Sequence, residues 1–99
     1  MLELDPTKQA VKFLRKLPPK QKRQLSDKIE ALLSDPLPHD SKLMRGSSST
    51  YRADQGEYRI IYRFDETTLY LLVVDRRNDG EAYKKYTRMV QMILLGMMG

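Results

Sequence analysis

Three arginines and a tyrosine carry the clearest chemistry in this chain: Arg52, Arg59, Arg77 and Tyr83. The segment from Thr50 to Tyr62, with Gln55-Gly56 near its middle, reads as a β-hairpin. If Gln55-Gly56 forms a two-residue turn and Gly56 supplies a positive φ, Asp54 faces Glu57, Ala53 faces Tyr58 and Arg52 faces Arg59. Like charges directly opposite on a sheet destabilise it. An anionic ligand would turn that cost into a binding site. Arg77 follows the next strand, and meander geometry brings it back toward the first hairpin. Guanidinium forks hold non-bridging phosphate oxygens in pairs, so three of them on a sheet make a phosphate surface. Tyr83, in the first turn of the last helix, could point at the same surface, where nearby cations would favour its phenolate.

Such a set suits RNA cleavage by internal attack. A ribose 2′-OH attacks the adjacent phosphate in line, one group accepts its proton, cations hold the phosphorane charge, and another group protonates the leaving 5′-oxygen. Arginines do the middle task by electrostatic preorganisation and do proton transfer badly, because their pKa stays above about 12. A plainer reading stays open, in which Arg52 and Arg59 lie on a solvated face and pair with Asp54, Glu57 or Asp75. The single histidine, His39, lies in a Pro-flanked loop and reads as a surface residue. One histidine and scattered acids offer no metal-ligand spacing, and no cofactor is expected. Tyr58, Tyr62 and Tyr70 read as sheet packing before base stacking. Met89, Met92, Met97 and Met98 read as core or partner packing.

A length of 99 residues with 40% hydrophobic content suits one folded domain, 1–99, with an apolar tail from about residue 89. There is no cysteine, so disulfide and thiolate chemistry are excluded. No signal peptide is expected at the start, and the apolar stretch 89–98 is too short to span a bilayer. A cytoplasmic location is the expectation. The net charge is +5, and between Pro6 and Ser26 the basic residues Lys8, Lys12, Arg15, Lys16, Lys20, Lys22 and Arg23 meet no acid. This favours a polyanion such as a ribosome surface, an acidic protein partner, or a merely solvated helix face.

The positioning elements follow from periodicity. Leu2-Glu3-Leu4 reads as a short edge strand, and Asp5 as the N-cap of a helix with Pro6 at its first position. Ala10, Phe13, Leu14 and Leu17 form one helical stripe; Leu25, Ile29, Leu32 and Leu33 form a second, after Pro18-Pro19. Residues 36–49 read as loop, with strands near 49–54, 57–64 and 68–74. A last helix near Gly80 turns Ala82, Tyr86, Met89, Val90 and Ile93 inward. The expected fold is α+β: an N-terminal antiparallel helix pair on one face of a three- to four-stranded antiparallel sheet, with a C-terminal helix.

The stretches Lys42-Leu43-Met44-Arg45-Gly46, Tyr51-Arg52 and Gly56-Glu57-Tyr58-Arg59-Ile60-Ile61-Tyr62, then Arg76-Arg77 and Glu81-Ala82-Tyr83, resemble the RelE/ParE superfamily of type II toxins. The likeness covers about residues 6–88 and is closest to the RelE branch. It implies a toxin silenced by a co-expressed antitoxin, in a toxin–antitoxin hetero-oligomer. It also implies an endoribonuclease (mRNA interferase) that cuts mRNA in the ribosomal A site and inhibits translation. Carried over by position, the catalytic residues are Arg52, Arg59, Arg77 and Tyr83, with Arg45 and Arg76 as phosphate contacts. Lys12, Arg15, Lys16, Lys20, Lys22 and Arg23 would meet the ribosome. Alternatives are a ParE-like inhibitor of DNA gyrase without nuclease activity, or a non-toxic module that only binds antitoxin. Two departures stand out: Asp54 occupies a position often basic in RelE-like members, and Asp75-Arg76 replaces the usual glycine–histidine or glycine–lysine.

Overall fold

Two features of the chain organise the fold: strands apolar on both faces, and helices apolar on one. The structure, a computed structural model, describes residues 1–98, leaving aside the side chains of Asp79, Met97 and Met98. The packing expected of Met97 and Met98 therefore lies outside the described residues. The elements are β1 (Glu3–Pro6), α1 (Lys8–Lys16), α2 (Pro19–Ser34), β2 (Lys42–Leu43), β3 (Tyr51–Gln55), β4 (Tyr58–Phe64), β5 (Thr68–Arg76) and α3 (Glu81–Met98), with a 3₁₀ turn at Asn78–Gly80 before α3. The architecture is α+β, a five-stranded mixed sheet in the order β1-β5-β4-β3-β2 with three helices. This corrects the expected three- to four-stranded antiparallel sheet. β1 pairs parallel to β5, and the stretch expected as loop contributes β2 at the far edge.

Pro6 belongs to β1, and the cap of α1 is Thr7 rather than Asp5. The Thr7 hydroxyl accepts from the Ala10 amide at 3.2 Å and donates to the Leu72 carbonyl at 2.7 Å, so one side chain caps the helix and ties it to the sheet. β1 is too short to cover β5 along its length. Beyond it, the Gln9 amide donates to the Val74 carbonyl at 2.9 Å and accepts from the Val74 N–H at 3.1 Å, completing the edge as a strand would.

α1 and α2 cover one sheet face. Ala10, Leu25, Ile29 and Leu32 pack there on Ala53, Ile60, Tyr62, Leu69, Leu71 and Val74. Tyr58 and Tyr62 behave as packing residues; Tyr70 belongs to neither core cluster, and its hydroxyl instead donates to Asp65 at 3.0 Å at the surface. Tyr62 is buried and its hydroxyl donates to the Pro36 carbonyl at 2.7 Å; Tyr58 meets Phe13 edge-on at 5.8 Å. Burial pushes the Tyr62 phenol up to about 12.

α3 lies on the opposite face, where Met44, Ile61, Val73 and Ala82 are buried with Leu72, Tyr83, Tyr86 and Met89 against them. Ile93, expected inward, is 57% exposed, because the helix outruns the sheet: every residue from Gln91 to Gly96 is exposed.

One irregularity positions the site. Ile61 pairs with Val73 but Tyr62 pairs with Leu71, leaving Leu72 as an extra residue in β5. Leu69 and Leu71 face the helix pair, and simple alternation would send Val73 and Asp75 the same way. The bulge turns the strand over, so that Val73 and Asp75 face α3 instead.

Candidate functional site: an arginine cluster on the sheet

The hairpin closes one step later than the sequence suggests. Gly56-Glu57 is the turn, with Gly56 at its first central position and φ +59°, the sign that hairpin turns of the primed types demand there. Gln55 then pairs with Tyr58, Asp54 with Arg59, Ala53 with Ile60, and Arg52 with Ile61. The expected pairing of Arg52 with Arg59 is thus replaced by a register two residues away. A shift of two preserves which face each side chain takes. Arg52 and Arg59 therefore share the α3 face as diagonal neighbours, and Asp54 rather than Arg52 stands opposite Arg59.

The electrostatics follow from that register. Arg59 donates from Nε to Asp54 Oδ1 at 2.8 Å and from Nη2 to Asp54 Oδ2 at 3.1 Å, a paired fork-to-carboxylate contact. Arg77 Nη1 lies 4.0 Å from Asp54 Oδ2. The Arg77 amide donates to the Glu57 carbonyl at 2.9 Å, binding the end of β5 to the hairpin turn. The hydrogen bond from Arg59 holds the Asp54 carboxyl below its usual range, and the charges of Arg59, Arg52 and Arg77 add to this. The same hydrogen bond raises the Arg59 guanidinium further above its already high value. Arg59 is therefore a fixed cation, unsuited to giving up a proton.

Tyr83 lies beneath this pair, with the Arg59 guanidinium carbon 5.3 Å from its ring centroid. Tyr83 also walls an open cleft of about 340 Å³ with Leu43, Arg45 and Arg52. Arg52 also lines a depression of about 60 Å³ with Asp40, Lys42, Ala53 and Asp54. The structure thus brings Arg45, Arg52, Arg59, Arg77 and Tyr83 to one face.

Arg76 is not among them. It pairs with Tyr58, which packs toward α1, so Arg76 takes the helix-pair side. Lys12, Arg15, Lys16, Lys20, Lys22 and Arg23 are exposed on α1 and α2, behind the sheet as seen from the cluster. His39 is exposed in the α2–β2 loop, beside an Asp40 that pairs with Lys28 at 2.7 Å. No group of three or more potential metal ligands occurs among the described residues.

The plainer reading of the sequence offered Asp54 as an ion-pair partner, and the structure realises that contact with Arg59. The turn hid only that Asp54 stands directly opposite Arg59; Gly56 in the first central position, a Gly-X turn, is the signal that reveals it. Asp75, 5% exposed, accepts from the Arg76 amide at 2.7 Å and forms an ion pair with Lys85 of α3. This pins α3 to β5 beside the cluster, and no local pattern announces it.

The family described as "ParE toxin of type II toxin-antitoxin system, parDE" matches residues 4–80. The "Putative toxin RelE1" of Methanocaldococcus jannaschii is 32% identical over 82 residues, spanning 78% of this chain and 89% of that protein. This chain is a member of the RelE/ParE superfamily of type II toxins. Solved structures agree with the assignment. The chain resembles one in the RelBE2 toxin–antitoxin complex of Mycobacterium tuberculosis, with 34% identity, a TM-score of 0.65, and coverage of 77% of this toxin and 98% of that chain. It also resembles one in the intact Escherichia coli RelBE complex, with 28% identity, a TM-score of 0.68, and coverage of 79% and 99%. A third is the RelE–RelB complex of Pyrococcus horikoshii, with 27% identity, a TM-score of 0.67, and coverage of 79% and 97%. The toxin has no helix, among its described residues, long and apolar enough to cross a membrane.

Proposed function

We propose that this toxin is a ribosome-dependent endoribonuclease that cuts mRNA in the A site and is held silent by a cognate antitoxin. The observation that carries this reading is the meeting of Arg52, Arg59, Arg77 and Tyr83 on one sheet face beside an open cleft. Relatives named RelE, and solved complexes of RelE with RelB, support the branch and the partner. The substrate ribose 2′-OH attacks its own 3′-phosphate, the bond from phosphorus to the 5′-oxygen of the next nucleotide breaks, and one proton passes in net from the 2′-OH to that leaving oxygen, giving a 2′,3′-cyclic phosphate and a free 5′-OH. Arg59 and Arg77 neutralise the charge that builds on the non-bridging oxygens. Arg52 orients the 2′-OH, Arg45 contacts a flanking phosphate, and Tyr83 stacks on a base or activates the substrate. The exposed cations Lys12, Arg15, Lys16, Lys20, Lys22 and Arg23 contact ribosomal RNA, and the action takes place in the cytoplasm. In this reading residues 1–99 act as one toxin domain, and no metal or cofactor takes part.

A second reading has its own support. The matching family carries the ParE name, which favours a gyrase inhibitor that cleaves nothing. The test is primer extension on mRNA in translating ribosomes, with wild type and Arg59→Ala. Site-specific cuts that vanish in the variant support the nuclease. Absent cuts together with blocked gyrase supercoiling support the second reading. Neither activity would leave an antitoxin-binding module without toxicity.

A further inference from the structure

In the phosphate site proposed above, the two cations that would face the substrate are already turned to an anion of the chain's own. Arg59 presents its Nε and Nη2 donors to the two oxygens of Asp54 at 2.8 and 3.1 Å, and Arg77 Nη1 lies 4.0 Å from one of those oxygens. Two oxygens against one guanidinium edge is the arrangement a phosphodiester adopts with its non-bridging oxygens. The carboxylate therefore occupies the position where two guanidiniums converge.

The pair is built into the hairpin. Asp54 and Arg59 are direct cross-strand partners, one step from the turn. The Asp54 side chain is 33% exposed, so a rotation about its own side-chain bonds releases it without disturbing the core. A role as proton acceptor for the 2′-OH fits poorly, because both oxygens are already engaged by Arg59. A stabilising role alone leaves unexplained why a second cation, Arg77, converges on the same carboxylate.

We propose that Asp54 is a resident competitor for the phosphate seat: it keeps Arg59 and Arg77 aimed for a phosphodiester and must be displaced before RNA can bind. The inference rests on the reading of this face as a phosphate site. Its consequence is substrate discrimination. A short free RNA meets the carboxylate at an overwhelming local concentration and binds weakly. An RNA held in place by further contacts, as on a ribosome, gains the effective concentration needed to displace it.

The experiment measures binding of a short, uncleavable 2′-O-methyl RNA to the full chain by fluorescence anisotropy. Asp54→Asn, which keeps the shape, and Asp54→Ser, which removes most of it, should each tighten binding about tenfold, equivalent to about 1.4 kcal/mol. Glu57→Gln makes the same charge change at the exposed turn and should alter binding less than about twofold. The gain should vanish when Asp54→Asn is made in an Arg59→Ala background. Unchanged or weaker binding by Asp54→Asn overturns the proposal, as does an equal gain from Glu57→Gln or a gain that survives Arg59→Ala. Ribosome cleavage separates this failure from that of the nuclease reading. Tighter binding by Asp54→Asn with no cutting by either protein supports the competitor and sinks the nuclease. Cutting by wild type with weaker binding and lost cutting in Asp54→Asn sinks the competitor and leaves the nuclease standing.

Discussion

The two faces of one sheet carry opposite kinds of residues. On the helix-pair face, Leu25, Ile60, Tyr62 and Leu71 are buried in one large apolar cluster. On the α3 face, a small apolar patch around Ile61 and Val73 gives way to Arg52, Asp54, Arg59 and Arg77. The same strands supply both, because successive residues alternate sides. Most of the buried apolar side chains lie where the sheet is covered by two helices. The face covered by one helix is left free to hold charges whose partners can change.

Truncating the dry face should have the largest effect on folding. Leu25→Ala removes a fully buried side chain between α2 and the sheet, and should lower the unfolding free energy by roughly 2–5 kcal/mol in a denaturant titration. Arg59→Ala should do the reverse. Its unfolding free energy should fall by less than about 1 kcal/mol, while ribosome-dependent cleavage falls about 10²-fold, as when one charge-stabilising donor is lost. A large loss of stability in Arg59→Ala would break the division between the faces.

Tyr62 supplies a sharper probe of the dry face. Its phenol is raised to about 12, whereas the unfolded chain has it near 10. Above pH 10 the unfolded state loses the proton first, so stability is intact below that pH and declines as pH rises toward 12. The decline amounts to roughly 2–3 kcal/mol. Tyr62→Phe should lack this component of an alkaline unfolding series, and at neutral pH should lose about 1 kcal/mol with its hydrogen bond to Pro36.

Thr7→Ala removes a cap and a tie to β5, and should also cost about 1 kcal/mol. The smallest effect belongs to the charged face. Asp54 has a lowered folded pKa, so its pair contributes above the unfolded value near 3.9 and is lost as pH falls through the folded value. With the carboxylate one-third open to solvent, screening holds the change below about 1 kcal/mol. An acid series of wild type against Asp54→Asn checks it, and a large difference would place Asp54 among the structural residues.

Much of this was legible in the chain. The apolar stripes located α1 and α2, and Pro19 opens α2 as its position suggested. Period-two alternation assigned Arg52 and Arg59 to one side, an inference immune to an even shift of register. Other elements were not legible for definable reasons. β2 is two residues long, too short to show a period, and exists because Lys42 and Leu43 find partners in Arg52 and Tyr51. β1 was legible as a short edge strand, but its partner was not, because parallel pairing joins residues more than sixty positions apart.

Within an unbroken stretch of strand, the sequence by itself determined which residues lie on a common face, since side-chain direction there follows local backbone geometry. It also determined the family, since the motif strand and its arginines are contiguous. Only the tertiary structure decided who meets whom across that face. The turn type set Asp54 against Arg59, and the bulge at Leu72 sent Asp75 to the α3 side. Register is a relation between segments, and the energy that selects it is spread over the whole packed sheet.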